Sequence, residues 1–239
     1  MMFCLRVKAP FAAFRIFTAG FYRPTAPFIT PSAAYGLILN LAGIESRLDD
    51  GKSVMTLMRT DLPSLDIALG AISFPEVQRI YQQLHNYPVG STGKDRAPEL
   101  KGAKYNIQPV WREFLSGLDA YICLRPNDEI KGLVRSGLTN GIATTVEGRP
   151  RYGIPFLGDN SFLIDVLREE QTPAPAFWYR RLAAEDKNTR IRRSRLTVWI
   201  DRADMTRTIS FLYAATEKPQ DRPPEDAWTR VGPHMGDRL

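Results

Sequence analysis

The chain has 239 residues, which is enough for one large domain or two small ones. Hydrophobic residues make up 44% and charged residues 24% of the chain, ordinary globular values that exclude wholesale disorder. The formal net charge of +6 favours a polyanionic partner, because clustered Lys and Arg side chains gain affinity by displacing the counterions of phosphate groups.

No apolar stretch reaches the roughly 18 to 20 residues that a membrane-spanning helix needs, and charges interrupt the N-terminal residues, unlike those of a signal peptide. We therefore expect no membrane segment. Cys4 and Cys123 are the only cysteines and form no CxxC pair, which argues against a disulfide framework and against a zinc site. The expected setting is a reducing cytoplasm, and we expect no metal or other cofactor.

The predicted elements begin with a strand and a helix. The sequence FCLRVKA (3–9) alternates apolar and basic side chains, which predicts a strand with one core face and one cationic, solvent-facing side. Thr30 can cap a helix and Pro31 suits its first turn, and apolar residues then recur at helical spacing. The 14-residue apolar run 31–44 is therefore predicted to be a buried helix rather than a membrane anchor.

Later elements extend this pattern. Strands are predicted at 54–58, 66–72 and 120–124, a helix within 127–138, and extended chain over 152–167. With a long excursion set aside, the order is strand, helix, strand, strand, helix, strand. That order predicts an α+β, ferredoxin-like βαββαβ unit, a fold that also serves as an RNA-recognition scaffold.

The excursion covers residues 73–117, and its tip is rich in Gly, Pro and Lys. A loop of this length inside a compact domain is usually functional or disordered. Residues 75–84 have helical apolar spacing, so the base of the excursion is either a helix or a hairpin arm.

Three regions are predicted along the chain. They are a ferredoxin-like domain over 1–170 that includes the excursion, a basic β-rich region over 171–215 with paired strands at 195–201 and 208–215, and a loosely ordered, Pro-rich tail over 216–239.

Signs of catalysis are few. His85 and His234 are the only histidines, and the sequence lacks a nucleophile elbow, an HExxH pair and a phosphate-binding loop. General acid–base work on RNA by His85 beside Tyr87 is conceivable, although a partly exposed polar side chain near a turn is the simpler interpretation.

Binding is better supported, since the first 44 residues contain no acidic residue and combine basic with aromatic side chains. That combination suits phosphate contact plus base stacking, and the helix starting near Pro31 would present N–H groups to a phosphate. The excursion tip and residues 187–195 are also basic, although a basic run is equally typical of a solvated face, and phenylalanines are more often core. The predicted RNA-binding residues are Lys8, Phe14, Arg15, Tyr22, Arg23, Thr30, Ser32, Tyr35, Lys94, Arg96, Lys101, Lys104, Arg192 and Arg193.

Several motifs in order resemble a known family. They are LRVKAPFAAFR (5–15), FITPSAAYGLILNLAGIE (28–45), YQQLHNYPVG (81–90), KYNIQPVWREFL (104–115) and YGIPFLGDNSFLID (152–165). Together they are similar to the Cas five family of the RAMP superfamily, a subunit of type I CRISPR effector (Cascade) complexes. The variant of myxobacterial-type and related I-B systems is most alike, and the resemblance covers roughly residues 3–215.

The resemblance implies a subunit that holds the 5′ handle of the CRISPR RNA, contacts the large subunit and the nearest backbone subunit, and meets target DNA indirectly. Such complexes serve antiviral defence or guided transposition. The excursion would be a thumb-like projection. One branch, in subtype I-C, also cuts precursor RNA with a Tyr, Lys and His set and no metal, but His85 has no adjacent Lys. The sequence therefore predicts a non-catalytic RNA-binding subunit, with a metal-independent endoribonuclease as the alternative.

Overall fold

The protein is described by a computed structural model over residues 2–16, 18, 22–48, 50–52, 56–88, 105–125, 128–140, 145–146, 149–150, 154–183 and 192–233. The α-helices in these ranges are α1 (Pro31–Ala42) and α2 (Asp128–Asn140), and two short 3-10 helices cover Met205–Arg207 and Glu225–Ala227. The strands are β1 (Phe3–Ala12), β2 (Tyr22–Arg23), β3 (Arg47–Leu48), β4 (Leu57–Met58), β5 (Leu65–Ser73), β6 (Glu76–Pro88), β7 (Tyr105–Leu124), β8 (Thr145–Val146), β9 (Arg149–Pro150), β10 (Val166–Glu169), β11 (Phe177–Arg181), β12 (Ser194–Trp199), β13 (Ile209–Ala215) and β14 (Thr229–Val231).

One sheet of ten strands dominates the described part of the chain. Its strands lie in the order β10, β1, β7, β5, β11, β13, β12, while β14 pairs with β5, and both β2 and β6 pair with β7. The pairs are antiparallel except for β2 with β7. The predicted α+β class is confirmed, since a mostly antiparallel sheet carries two helices.

Most predicted elements are present. Strands stand at or close to the predicted stretches 3–9, 66–72, 120–124, 195–201 and 208–215. Helix α2 confirms the helix predicted within 127–138. The strand predicted at 54–58 is described only at β4, because residues 53–55 lie outside the described ranges.

The main core lies between the sheet and the two helices. Leu5 and Val7 alternate along β1, and Leu5 is directly opposite Ile122 of β7 in the register, so the three share one face of the sheet. They pack in one cluster with Ile38 of α1 and Val134 of α2, and all five side chains are fully buried. Burying each such side chain contributes about 1.5–3 kcal/mol relative to leaving it exposed, so this layer holds the sheet and helices together.

Local sequence explains where α1 begins and ends. The Thr30 backbone is extended and its Oγ1 accepts a hydrogen bond from the Ala33 N–H at 3.2 Å, as an N-cap does. Pro31 follows, at a position where a missing N–H costs little. Gly43 ends the helix with φ 67°, and its N–H donates to the last turn. The predicted buried helix is confirmed.

The opposite face of the sheet carries a smaller apolar cluster. Trp178 of β11 is fully buried and lies over Gly70 of β5, where a Cβ would stand 2.8 Å from the indole ring. The ring of Tyr121 is stacked at 6.4 Å from that of Trp178, and its hydroxyl accepts from the Ala174 N–H. The C-terminal region thus covers part of this face.

This cluster also holds a correction to the sequence analysis. Cys4 of β1 and Cys123 of β7 are directly opposed in the register and form a disulfide. The prediction of no disulfide is therefore wrong, because 119 residues of separation hide a pairing that only strand register creates. Without that prediction, the cysteines no longer favour a reducing compartment.

The excursion leaves and returns as a long antiparallel hairpin. Strand β6 pairs with β7 from Glu76–Ser116 out to Pro88–Tyr105. The hairpin arm, one of two alternatives for residues 75–84, is therefore correct. A separation of four residues puts Val77 and Tyr81 on the same side of either a helix or a strand, so their spacing alone does not distinguish the two. Their β-branched and aromatic side chains favour a strand. The tip, residues 89–104, lies outside the described ranges.

The C-terminal strands continue the main sheet, because β11 pairs with both β5 and β13. The predicted loosely ordered tail is wrong for residues 225–231. There β14 pairs with β5, Val231 is fully buried, and the Arg125 guanidinium lies 4.2 Å from the Trp228 ring. The Pro-rich, polar composition of the tail conceals these few anchoring residues. No described helix is long and apolar enough to cross a bilayer.

Candidate nucleic-acid interface

An open cleft of about 880 Å³ lies at the N-terminal end of α1. Residues 14–16, 18 and 23–33 supply one wall, the loop 156–160 another, and residues 197–208 of the C-terminal region the third. The cleft is therefore assembled from three segments that are distant in sequence, and it exists only in the folded chain.

The charged residues that line the cleft are Arg15, Arg23, Arg202 and Asp159. The Arg15 side chain is 62% exposed, Arg202 is exposed and Arg23 is half-buried. Asp159, by contrast, is only 12% exposed. Because arginine stays protonated in proteins, the cleft presents cations to the solvent and keeps its one carboxylate underneath.

Asp159 fixes the arrangement of the arginines. Its Oδ2 accepts from Arg112 of β7 at 2.5 Å and lies 3.7 Å from the Arg15 guanidinium, while its Oδ1 accepts from the Ser161 N–H. Burial alone would raise the pKa of Asp159, but the Ser161 N–H and the Arg112 guanidinium outweigh it and hold the pKa below its ordinary value. Asp159 is thus a carboxylate at neutral pH.

Gly158 positions this loop against the N-terminal segment. Its φ of +78° is left-handed, and a Cβ would lie 1.7 Å from the carbonyl oxygen of Ala13. The Ala13 N–H in turn donates to the Leu157 carbonyl at 3.0 Å. Only glycine allows both the turn and this close approach.

The start of α1 offers fewer donors than the sequence suggested. The Ala33 N–H donates to Thr30 Oγ1, the Ala34 N–H donates to the Thr30 carbonyl, and Pro31 has no N–H. The helix dipole still favours an anion here, and α1 has no acidic residue in its first turn. The arginines, rather than backbone N–H groups, are therefore the main anion donors of the cleft.

The arrangement suits binding rather than proton transfer. Asp159 is committed to Arg112, and the arginines cannot act as bases at neutral pH. Thr208 borders the cleft, and its buried Oγ1 has no hydrogen-bond partner in the described part of the chain. Within the described ranges, no three His, Cys, Asp or Glu side chains come together as metal ligands.

The structure brings together five of the predicted RNA-binding residues. Arg15, Arg23, Thr30 and Ser32 line the cleft, as does Phe14. Phe14 is nevertheless only 3% exposed, so its ring packs in the core and is not presented for stacking. That prediction is corrected.

Tyr35 also needs correction. It is 2% exposed, its hydroxyl donates to the Pro63 carbonyl at 2.7 Å, and its ring meets that of Trp199 edge-on. Burial raises the pKa of its phenol. The side chain is amphipathic, but its polar end is satisfied inside the protein.

The other predicted residues lie elsewhere or outside the described ranges. Lys8 is exposed on the sheet face away from the helices, next to the ion pair of Arg6 with Asp119. Arg192 lies 4.0 Å from the Phe74 ring and, like Arg193, is exposed just before β12, whose far end reaches the cleft. Tyr22 of β2 lies beside the hairpin, in register with Trp111 of β7. The undescribed residues are Lys94, Arg96, Lys101, Lys104 and His234, and of His85 only the backbone, paired with Ile107, is described.

Sequence reasoning missed Arg202, Asp159 and Arg112. Arg202 follows β12 and reaches the cleft only because the C-terminal strands join the main sheet. Asp159 sits in the motif GDN, where a turn-forming Gly before an Asp was the available signal.

Comparison with known proteins places the chain in a family. The family model described as CRISPR-associated protein (Cas_Cas5) matches residues 2–140. No curated protein matches. A chain of a solved "CRISPR RNA-guided surveillance complex" is 14% identical with a TM-score of 0.55, covering 95% of this chain and 96% of that one. A second, "Crystal structure of Cas protein", is also 14% identical with a TM-score of 0.51, covering 98% and 100%. These two share the fold, and since the family match spans more than half of the residues, the chain belongs to the CRISPR-associated Cas5 family.

Proposed function

We propose that this chain is the RNA-binding subunit of a type I CRISPR surveillance complex, and that the cleft at the start of α1 holds the 5′ handle of the CRISPR RNA. The observation that carries the proposal is the grouping of Arg15, Arg23 and Arg202 around one open cleft of about 880 Å³. Family membership supports it, as does the fold shared with a chain of a "CRISPR RNA-guided surveillance complex".

The arginines act on the phosphate backbone. Guanidinium groups match phosphate geometry and displace condensed counterions, so their contribution weakens as salt concentration rises. The pairing of Asp159 with Arg112 holds one wall in place before RNA arrives. A strand of RNA therefore meets a cleft whose cations need little rearrangement.

We further propose the ferredoxin-like, RAMP-type version of the α+β fold, with the β6–β7 hairpin as its thumb-like insertion. Chain order β1, α1, β5, β7, α2, β10 with spatial order β10, β1, β7, β5 supports this assignment. The region boundaries at residues 170 and 215 and the similarity to the I-B, myxobacterial-type variant stay predictions.

In the assembled complex this subunit would contact the large subunit and the nearest backbone subunit, and would act on target DNA only through the guide. The same role would serve antiviral defence and guided transposition. We propose that the subunit is not itself a nuclease, so a separate enzyme would process the precursor RNA.

The test incubates the purified protein, in EDTA, with end-labelled repeat RNA from its own locus, and reads shift and cleavage on one gel. A shift without a cut is expected. A discrete cut that is lost in His85→Ala would overturn the non-catalytic role and support the endoribonuclease alternative.

The cleft is tested by replacing Arg15, Arg23 and Arg202 together with Ala. Each phosphate contact to a single strand contributes about 0.7 to the slope of log affinity against log salt, so the slope should fall by about 2. The control replaces three exposed arginines that do not line the cleft, Arg47, Arg168 and Arg222, for the same change of net charge. Equal losses in both variants would remove the cleft as the specific site.

A further inference from the structure

Three aromatic side chains form a row across strands β2, β7 and β6, and we call Tyr22, Trp111 and Tyr81 the aromatic row. Strand β7 lies between β2 and β6, and Trp111 is in register with Tyr22 on one side and Tyr81 on the other. The Tyr81 and Trp111 ring centroids are 5.2 Å apart. The exposed fraction is 40% for Tyr22, 48% for Trp111 and 56% for Tyr81, so this face of the sheet is open to solvent.

Large rings gathered at this level of exposure require an explanation. Isolated exposed apolar side chains are common, but a contiguous exposed group marks a binding surface. The core does not use these rings, since none of them belongs to either buried cluster. The exposed parts of these rings are therefore open to an external partner.

The charge beside the row is positive toward the solvent. The Arg79 guanidinium lies 5.2 Å from the centroid of the Tyr22 ring and donates to the Tyr22 hydroxyl at 3.0 Å. Arg79 also pairs with Glu113, but its side chain is 58% exposed and that of Glu113 is 11% exposed. An approaching ligand therefore meets rings and a cation, with the carboxylate beneath them.

The row is continuous with the cleft through strand β2. Successive side chains of a strand point to opposite faces, so Tyr22 stands in the row while Arg23 lines the cleft. Arg112, next to Trp111, likewise faces the cleft side and pairs with Asp159 there. One two-residue strand thus separates a phosphate-binding surface from an aromatic one.

We propose that the aromatic row stacks unpaired bases of the RNA strand whose phosphates the cleft binds, an inference that rests on the proposed function. Aromatic rings stack on any base, and an adjacent arginine adds cation–π attraction and a phosphate contact. The ligand class is single-stranded RNA read with little sequence preference. Tyr81, Trp111 and Arg79 join the binding surface in addition to the residues predicted from the sequence.

The test compares two RNAs of equal length, the native handle and one with abasic nucleotides, which keep the phosphates and lack the bases. Wild-type protein should bind the abasic RNA more weakly. The double variant Tyr81→Ala, Trp111→Ala should lose about five- to 100-fold in affinity for the native RNA and distinguish the two RNAs much less than the wild type does. Its salt slope should equal that of the wild type, because the phosphate contacts remain.

Two further variants serve as controls for this experiment. Ile80→Ala removes a 48% exposed side chain from the opposite face of β6 and should leave binding unchanged. The single variant Trp111→Phe keeps an aromatic ring and should retain most of the wild-type affinity. That result would show that the loss in the double variant comes from stacking and not from a folding defect. Wild-type discrimination retained by the double variant would overturn the inference and direct attention to protein contacts. In that case the salt slope of the triple arginine variant still tests the proposed function. If the wild-type protein binds neither RNA, both the inference and the proposed function are overturned.

Discussion

Arg112 and Asp159 form an ion pair that ties strand β7 to the loop bordering the cleft, with side chains only 14% and 12% exposed. The hairpin, the loop 156–160 and the N-terminal segment therefore depend on one carboxylate. We expect the pair to matter for stability as well as for binding, since a partly buried guanidinium left alone is costly.

Asp159→Asn should lower the free energy of unfolding by about 2 kcal/mol at pH 7, while still accepting the Ser161 N–H. The pKa of Asp159 is below its ordinary value, so its contribution is present above about pH 4 and is lost as pH falls through the folded-state pKa. Urea unfolding at pH 7, 5 and 3 should show the wild-type advantage constant between the first two and shrinking at the third. Asp61→Asn removes an exposed pair with Arg59 and is expected to change nothing measurable.

The disulfide between Cys4 and Cys123 predicts a redox-dependent stability. A cross-link that spans 119 residues removes entropy from the unfolded chain and, in the loop-closure model, is worth about 4–5 kcal/mol. The oxidised wild type should therefore unfold at higher urea than the reduced protein. The double variant Cys4→Ser, Cys123→Ser should not respond to reductant. Alkylation of both thiols in unreduced, unfolded wild-type protein would contradict the assignment.

Helices α1 and α2 are in close backbone contact at Gly137. A Cβ there would lie 1.9 Å from the carbonyl oxygen of Leu41, so Gly137→Ala must push the helices apart. We expect a loss of about 1–3 kcal/mol in the free energy of unfolding. Gly132→Ala is the matched control in the same helix, with nothing within 4 Å of the added Cβ. Its expected effect is a gain of up to about 1 kcal/mol from helix propensity, and equal losses in both variants would refute the packing argument.

Gly158 should link stability to RNA binding. Gly158→Ala strains a left-handed residue and drives a methyl group against Ala13, so it should move the loop that carries Asp159. We expect both a lower melting temperature and weaker RNA binding. Gly51→Ala introduces the same kind of backbone strain, at φ +65°, with no atom within 4 Å. It should cost only about 1 kcal/mol and leave RNA affinity intact. RNA affinity unaffected by Gly158→Ala would show that this loop does not shape the site.

The parts of the fold that depend on neighbouring residues could be predicted from the sequence. Thr30 and Pro31 act within one turn of chain, and their residue types alone predict where α1 begins. Gly43 likewise acts locally, at the end of α1. The alternation in β1 likewise predicts which side chains are buried. These features need no knowledge of the rest of the molecule.

The parts that depend on tertiary contacts could not. Phe14 and Tyr35 have the residue types of a stacking surface, and only the packing shows that they are core. Arg202 enters the cleft, and Trp111 joins the aromatic row, through strand pairings whose register the sequence does not display. The cysteine pair is the same case, because neither residue carries a local sign of its partner.

The pairing of β14 with β5 has a consequence for how the protein is made. The ion pair of Arg230 with Asp66 joins residues 164 positions apart. At about 5–20 residues per second, ribosomes need roughly 8 to 33 s to deliver the second after the first. During that interval one edge of β5 lacks its final partners, and unpaired strand edges promote association between nascent chains. The cleft also lacks its third wall until residues 197–208 emerge, so we expect RNA capture to follow synthesis rather than accompany it.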